Sequence, residues 1–280
     1  MQDSKEMLFE VDKNKCLKCG ICVKDCAFGA LGVGKDQTPV MKQPQNCMLC
    51  QHCFAICPSG AVTFDGIRPE EALEVESADI PTAQQMENWM KVRRSMRSFK
   101  DEDVDRALIE KLLKLLANSP TGCNARGLTF NCYPDRNAMN KFRKSFIKVL
   151  EEHRDGSKLL PRWLAAPAIK LRNGTGDMFF RGATGMLIVS CDETKTGVAT
   201  PLEDVVIACS NFEHLANANG ISTCWCGFLK LVQNEVPELL EKIVGIRRST
   251  PFYAILFGKG STKYTRGVER GRYAEIKINS

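Results

Sequence analysis

Histidine is scarce in this chain of 280 residues. His52, His153 and His214 are the three it has, and their scatter gives no acid–base pair for catalysis. No G-x-G-x-x-G fingerprint follows a candidate strand, which argues against a dinucleotide-binding βαβ unit. Long apolar runs are missing as well. Met186–Val189 and Phe252–Phe257 are far too short to cross a bilayer, so no membrane partner is expected. The opening residues Met1–Glu6 lack a basic-then-apolar pattern, which predicts a cytoplasmic protein. The net charge is +6, and no nucleic-acid partner is expected. Up to Gly66 seven Lys and Arg face seven Asp and Glu, so the basic excess lies in the larger remainder. With 44% apolar and 26% charged residues, the composition suits a globular protein of two domains.

Cysteine, by contrast, is abundant. Of fourteen, eight crowd between Cys16 and Cys57, and the other six are scattered among mostly apolar neighbours. Crowding at fixed spacing points to metal rather than disulfides. Cys16, Cys19, Cys22 and Cys26 are followed by Cys47, Cys50, Cys53 and Cys57 with the same spacing, and Pro58 follows the last. Both quartets resemble the bacterial ferredoxin signature. Three thiolates on one tight loop cap three corners of a four-iron cubane, while the fourth reaches the other cluster. Cys16, Cys19, Cys22 and Cys57 are therefore assigned to one 4Fe-4S cluster, and Cys26, Cys47, Cys50 and Cys53 to the second. The segment Cys26–Leu31 echoes Cys57–Val62, each a ligand followed by a turn and a short strand. Ala27 stands where such ferredoxins have proline, which predicts a looser turn and no lost ligand. Four thiolates also suit zinc, the alternative to iron–sulfur at this stage. His52, inside a cluster loop, is expected to cover or tune a cluster.

The domain boundaries follow. Residues 1–66 form the cluster domain, 67–82 an acidic, proline-bounded linker, and 83–280 a second domain. Thr82 is a candidate N-cap for a helix through Met86, Trp89, Met90 and Val92. Val104–Leu116 and Leu202–Asn219 carry helical apolar spacing, the latter closed by Gly220, while Met186–Cys191 and Phe252–Phe257 read as buried strands. The order of elements implies an α+β layer fold.

Three segments of the second domain resemble landmarks of the FMN-dependent nitroreductase family: Arg93–Phe99, Ser119–Asn124 and Ala216–Phe228. The whole chain resembles the ferredoxin–nitroreductase fusions of anaerobes. The resemblance implies a small two-cluster ferredoxin-like domain followed by a three-layer α+β domain that binds FMN as an obligate homodimer. In Arg93-Arg94-Ser95-Met96-Arg97 the cationic forks and a hydroxyl lie about one helical turn apart, suited to a phosphate and ribityl chain. The family match makes Arg93, Ser95 and Arg97 the FMN grip, joined by Arg94. Pro120, Thr121, Gly122 and Asn124 correspond to the loop that reaches the flavin of the other subunit. Trp225, Cys226 and Gly227 correspond to the backbone over the flavin edge, with the Gly227 amide facing N5. The Cys226 thiol is either near N5, where it influences proton delivery, or a small buried apolar group. In the tail, Arg270 and then Arg266 are expected to close on the phosphate. The segment Gly182–Gly185 departs from the family's Ala-Pro, and 151–177 corresponds to a variable pocket wall.

The expected activity is reduction of nitroaromatics, quinones or similar electron-poor small molecules. Electrons would come from an external low-potential carrier of ferredoxin or flavodoxin type, through the two clusters to FMN. Reductive dehalogenation or enone reduction on the same scaffold is the enzymatic alternative, and a non-enzymatic electron-transfer or redox-sensing protein the other.

Overall fold

The computed structural model describes residues 8–155, 160–192, 194, 200–270 and 275–279. The chain divides into two compact units, Met1–Pro81 and Thr82–Ser280.

The first unit is built twice from one pattern. Helix α1 (Ile21–Lys24) and strand β2 (Leu31–Val33) recur 31 residues later as α2 (His52–Ala55) and β4 (Val62–Phe64). The backbone repeats with them. Lys18, Gly20 and Gly29 have positive φ, and so do Leu49, Gln51 and Gly60 at the same offset. These turns wrap each cysteine loop without help from side chains. Strand β1 (Phe9–Val11) pairs antiparallel with β4, Phe9 opposite Phe64, and β2 pairs with β3 (Pro39–Met41), Leu31 opposite Met41. The core is small: Phe9, Cys22, Leu31, Val62 and Phe64, with nine partly buried residues packed around it, among them Cys26, Cys47, Cys53 and Cys57. So little apolar burial falls short of what a domain this size needs alone, and an inorganic staple is the usual remedy.

The second unit is a four-stranded antiparallel sheet between two helical layers. Its strands are β5 (Leu128–Tyr133), β6 (Gly185–Cys191), β7 (Ser222–Trp225) and β8 (Phe252–Gly258), in the order β5-β6-β8-β7. Alternation along β6 and β8 separates the two faces. Met186, Ile188, Ala254 and Leu256 pack on one side with Met139, Phe142 and Phe146 of α5 (Arg136–Asp155), Leu164 of α6 (Arg162–Arg172), Leu229 of α8 (Gly227–Glu235) and Leu240 of α9 (Leu239–Val244). Leu187, Val189, Ile255 and Phe257 pack on the other with α4 (Arg106–Leu115) and α7 (Pro201–Ala218). This is the expected three-layer α+β arrangement.

Helix α3 (Ala83–Val92) begins at Thr82, whose hydroxyl accepts from the Gln85 amide at 3.2 Å while the Gln85 side chain accepts from the Thr82 amide at 2.9 Å. Thr82 thus belongs with the second unit. Residues before it form two short 3₁₀ turns, Pro69–Glu71 and Ser77–Asp79. Gly185, in the segment that departs from Ala-Pro, starts the central strand directly opposite Phe257, whose ring fills the place a Cβ would take. Among the described residues no helix is long and apolar enough to cross a membrane.

Candidate functional site

In the first unit, one apolar cavity is lined by Cys26, Cys47, Cys50 and Cys53 together, with Phe28, Leu31 and Phe64 around them. Cys26 thus sits with the second quartet's first three thiols. Burial pushes the Cys22 thiol above its ordinary value, and the nearby Cys57 thiol adds to that shift. Burial also opposes ionisation of Cys57, but amides of Ala61 and Ser59 outweigh it and hold that thiol below its ordinary value. The Ala61 amide lies 3.3 Å from its sulfur. Among the described residues, no three Cys, His, Asp or Glu side chains converge on one ion position. The donor set, eight soft thiols in two loops, fits two four-iron clusters. The Asp25 carboxylate accepts from His52 Nδ1 at 3.1 Å, tying one cluster loop to the other.

In the second unit, the arginine segment leaves α3 in extended conformation and runs beside the tail. Phe99 bridges Gly260 antiparallel, the Ser261 amide donates to the Ser98 carbonyl, the Tyr264 hydroxyl donates to the Ser95 carbonyl at 3.4 Å, and the Val268 amide donates to the Lys91 carbonyl at the end of α3. Of the two tail arginines, Arg266 falls between the Tyr264 and Val268 contacts, and Arg270 follows them. Neighbouring Glu269 is paired with Lys91 at 2.8 Å.

Arg93 is not a free cation. Its Nη1 lies 3.0 Å from Glu213, a carboxylate only 4% exposed on α7. Glu213 also accepts from Trp225 Nε1 at 3.0 Å and from the Thr223 hydroxyl at 3.2 Å. Asn217 completes the network by donating to Thr223 Oγ1 at 2.8 Å, and the Met96 amide donates to the Thr223 carbonyl at 2.8 Å. One buried side chain thus joins the first landmark to the third. Sequence reasoning missed Glu213, which sits among charged and apolar residues of an ordinary amphipathic helix.

Arg94 turns back instead, donating from Nη2 to the carbonyls of Met90 and Lys91 at 3.3 and 3.0 Å. It caps the C-terminus of α3, where a cation is favoured, and its buried Nε has no partner. Its expected place in the grip is corrected to that of a helix cap. Arg97 is exposed and Ser95 half-buried.

The Pro120–Asn124 loop lies against α7. Asp204 accepts from the Gly122 amide at 2.9 Å, and a Cβ on Gly122 would collide with Thr200 Oγ1. Thr121 Oγ1 accepts from the Arg126 amide at 3.1 Å, while Cys123, Asn124 and Arg126 adopt positive φ. Asp204 is buried, yet its Oδ2 has no hydrogen-bond partner, an orphaned acceptor beneath the loop.

At the end of β7, the Cys226 amide donates to the Ala254 carbonyl at 2.8 Å and its backbone caps α8. Its thiol is buried, lies 3.6 Å from the Phe179 carbonyl and is pushed up to about 12 by burial. Of the two readings of Cys226, the structure supports the small buried group. Gly227 opens α8. Its first-turn amide points along the helix axis without an intrahelical acceptor, and among the described residues it has no other. Trp225 packs edge-on against Tyr253, ring centroids 5.1 Å apart. The unpaired Gly227 amide, the orphaned acceptor at Asp204 and the half-buried Arg93 fit an anionic, hydroxyl-bearing cofactor.

Residues 90–259 match the Nitroreductase family model. The chain belongs to the nitroreductase family. Residues 10–61 match the 4Fe-4S dicluster domain, so this nitroreductase carries a two-cluster ferredoxin-type domain in front. Ferredoxin-3 of Nostoc sp. is 30% identical over 72 residues, which cover 20% of this chain and 74% of that protein. An archaeal-type glutamate synthase [NADPH] of Thermotoga maritima is 38% identical over 69 residues, and the match spans 23% of this chain but 13% of the synthase. A nitroreductase with bound FMN from Bacteroides fragilis superposes with a TM-score of 0.50 at 16% identity, over 66% of this chain and 95% of that one. That likeness is one of fold. Together these make the chain an iron–sulfur-linked oxidoreductase.

Proposed function

We propose that this nitroreductase binds FMN and reduces nitroaromatics, quinones or similar electron-poor small molecules. Its electrons come from an external low-potential carrier of ferredoxin or flavodoxin type by way of the two clusters. Bound FMN would supply two-electron chemistry at the second unit, and the clusters one-electron transfer at the first. We place the protein in the cytoplasm as a homodimer, with the Pro120–Asn124 loop serving the partner's flavin.

The observation that carries this reading is the Glu213 network. It holds Arg93 at one end and Trp225 at the other, so an anion grip and a flavin-edge loop are positioned by one buried carboxylate. Arg93 keeps its remaining guanidinium donors for a phosphate, joined in this reading by Ser95, Arg97 and the tail arginines Arg266 and Arg270. The Gly227 amide, at a helix N-terminus, favours negative charge developing on a neighbouring ring. Cys226 holds its proton throughout the working pH range and takes no part in proton delivery.

Anaerobic reconstitution followed by assay of iron, sulfide and FMN per chain tests the proposal. Two clusters and one FMN per chain, with turnover of a nitroaromatic under dithionite, are expected. Iron without flavin would sink it.

A further inference from the structure

The first unit provides its own control, because each residue of one cysteine loop has a structural equivalent 31 residues on in the other. Where the fold alone dictates the residue, the equivalents agree: Gly29 with Gly60, Ala30 with Ala61, and all four cysteines. Charge does not follow the repeat. Lys13, Lys15, Lys18 and Lys24 around the first loop correspond to Pro44, Asn46, Leu49 and Ala55. From Gln43 to Cys57 there is no Lys, Arg, Asp or Glu at all. Lys18 even occupies the same left-handed backbone position as Leu49, φ 55° against 57°, so the conformation does not require a lysine.

Two of these lysines are neutralised within the unit, Lys13 by Asp36 and Lys15 by Glu70, each at 2.7 Å. Lys18 and Lys24 have no ion-pair partner among the described residues and are exposed. Around them lie Leu17, 67% exposed, Ile21, 41% exposed, and the exposed Cys19. Asp25, beside Lys24, is taken up by His52 at 3.1 Å, which leaves an apolar centre with unpaired lysines at its rim, the anatomy of a transient protein interface.

We propose that the Leu17, Lys18, Ile21 and Lys24 face is the docking site for an acidic electron-carrier protein, which delivers electrons to the Cys16, Cys19, Cys22 and Cys57 cluster first. This rests on the electron-relay reading above. The step moves one electron, oxidising the carrier's centre and reducing the cluster, with no bond made or broken. The uncharged second loop offers an acidic partner no such attraction.

The repeat supplies the test, since Lys18→Leu and Lys24→Ala install the residues that the equivalent positions already hold. The holoprotein is mixed with a reduced, strongly acidic low-potential ferredoxin, and cluster reduction is followed by stopped-flow absorbance. Affinity for the oxidised ferredoxin is measured by calorimetry, a readout independent of turnover. At low ionic strength the K18L/K24A variant should show an association rate about tenfold lower and correspondingly weaker binding, the difference closing at high salt. Reduction by dithionite should be unchanged. A Lys35→Gln, Lys42→Gln variant, which removes the same charge elsewhere in the unit, should stay within about twofold of the parent. An equal loss in that control, or no loss in K18L/K24A, overturns the docking face while leaving the relay intact. Failure of the parent protein to accept electrons from the ferredoxin, with dithionite still reducing its clusters, overturns both.

Discussion

Glu213 shows how a carboxylate can be invisible in sequence and central in space. Its partners Arg93 and Trp225 lie 120 and 12 positions away, and no local pattern links them. The arginine and Cys-Trp-Cys-Gly segments were legible because backbone and charge requirements leave short motifs. The side chain joining them was not, since it depends on how α7 packs beneath β7. Removing it leaves three donors, two of them at least half-buried, without an acceptor. Glu213→Ala should therefore lower the stability of the second unit by about 3 kcal/mol, less than a fully buried pair because Arg93 keeps some solvent. FMN affinity should fall at least about tenfold, with Glu213→Gln intermediate. Urea unfolding and flavin-fluorescence titration measure the two effects, and unchanged flavin affinity in the alanine variant would detach Glu213 from the site.

Among elements, those with a strong period or a cap were readable before the structure. The Thr82 capping box, the buried strands β6 and β8, and α7 closed by Gly220 fall within a few residues of their expected places. Strands β5 and β7 were not read. Both lie at sheet edges, β5 half-buried along nearly its whole length and β7 only four residues long, so neither leaves a clear alternation. Gly185 explains why β6 begins without the family's Ala-Pro: the Phe257 ring on the neighbouring strand occupies the space of a side chain. Gly185→Ala should cost about 1–3 kcal/mol through overpacking, read as a lower urea midpoint with unchanged slope. A neutral result would mean that Phe257 swings aside at no cost.

Across the whole molecule, cysteine serves two unrelated ends. Eight form the metal loops, while Cys132, Cys209 and Cys226 sit in the second unit, each pushed up to about 12 by burial from an ordinary 9.0. Folded-state values above unfolded ones mean that their contribution is complete below pH 9 and is lost as pH rises from 9 towards 12. Over that range the unfolded chain gives up protons that the folded chain keeps, at up to about 1.4 kcal/mol per pH unit for each thiol. Tyr133, also pushed up to about 12 by burial, acts in the same direction above its ordinary 10.0. The urea midpoint of the second unit should therefore drop steeply between about pH 9 and 10.5, and Cys209→Ala should flatten the slope. An alkaline profile identical in that variant would assign the loss to other groups.

The pairing of β1 with β4 also bears on how the protein is made. The first strand of the cluster unit finds its partner in the last, Phe9 against Phe64, and the proposed exchange of Cys26 and Cys57 runs across the same gap. A chain emerging from the ribosome exposes all four ligands of the Cys26, Cys47, Cys50 and Cys53 cluster before Cys57 can complete the other, and β1 cannot pair with β4 until the segment up to Phe64 follows. The earliest cysteines in the chain, Cys16, Cys19 and Cys22, are accordingly the last to have their ligand set completed.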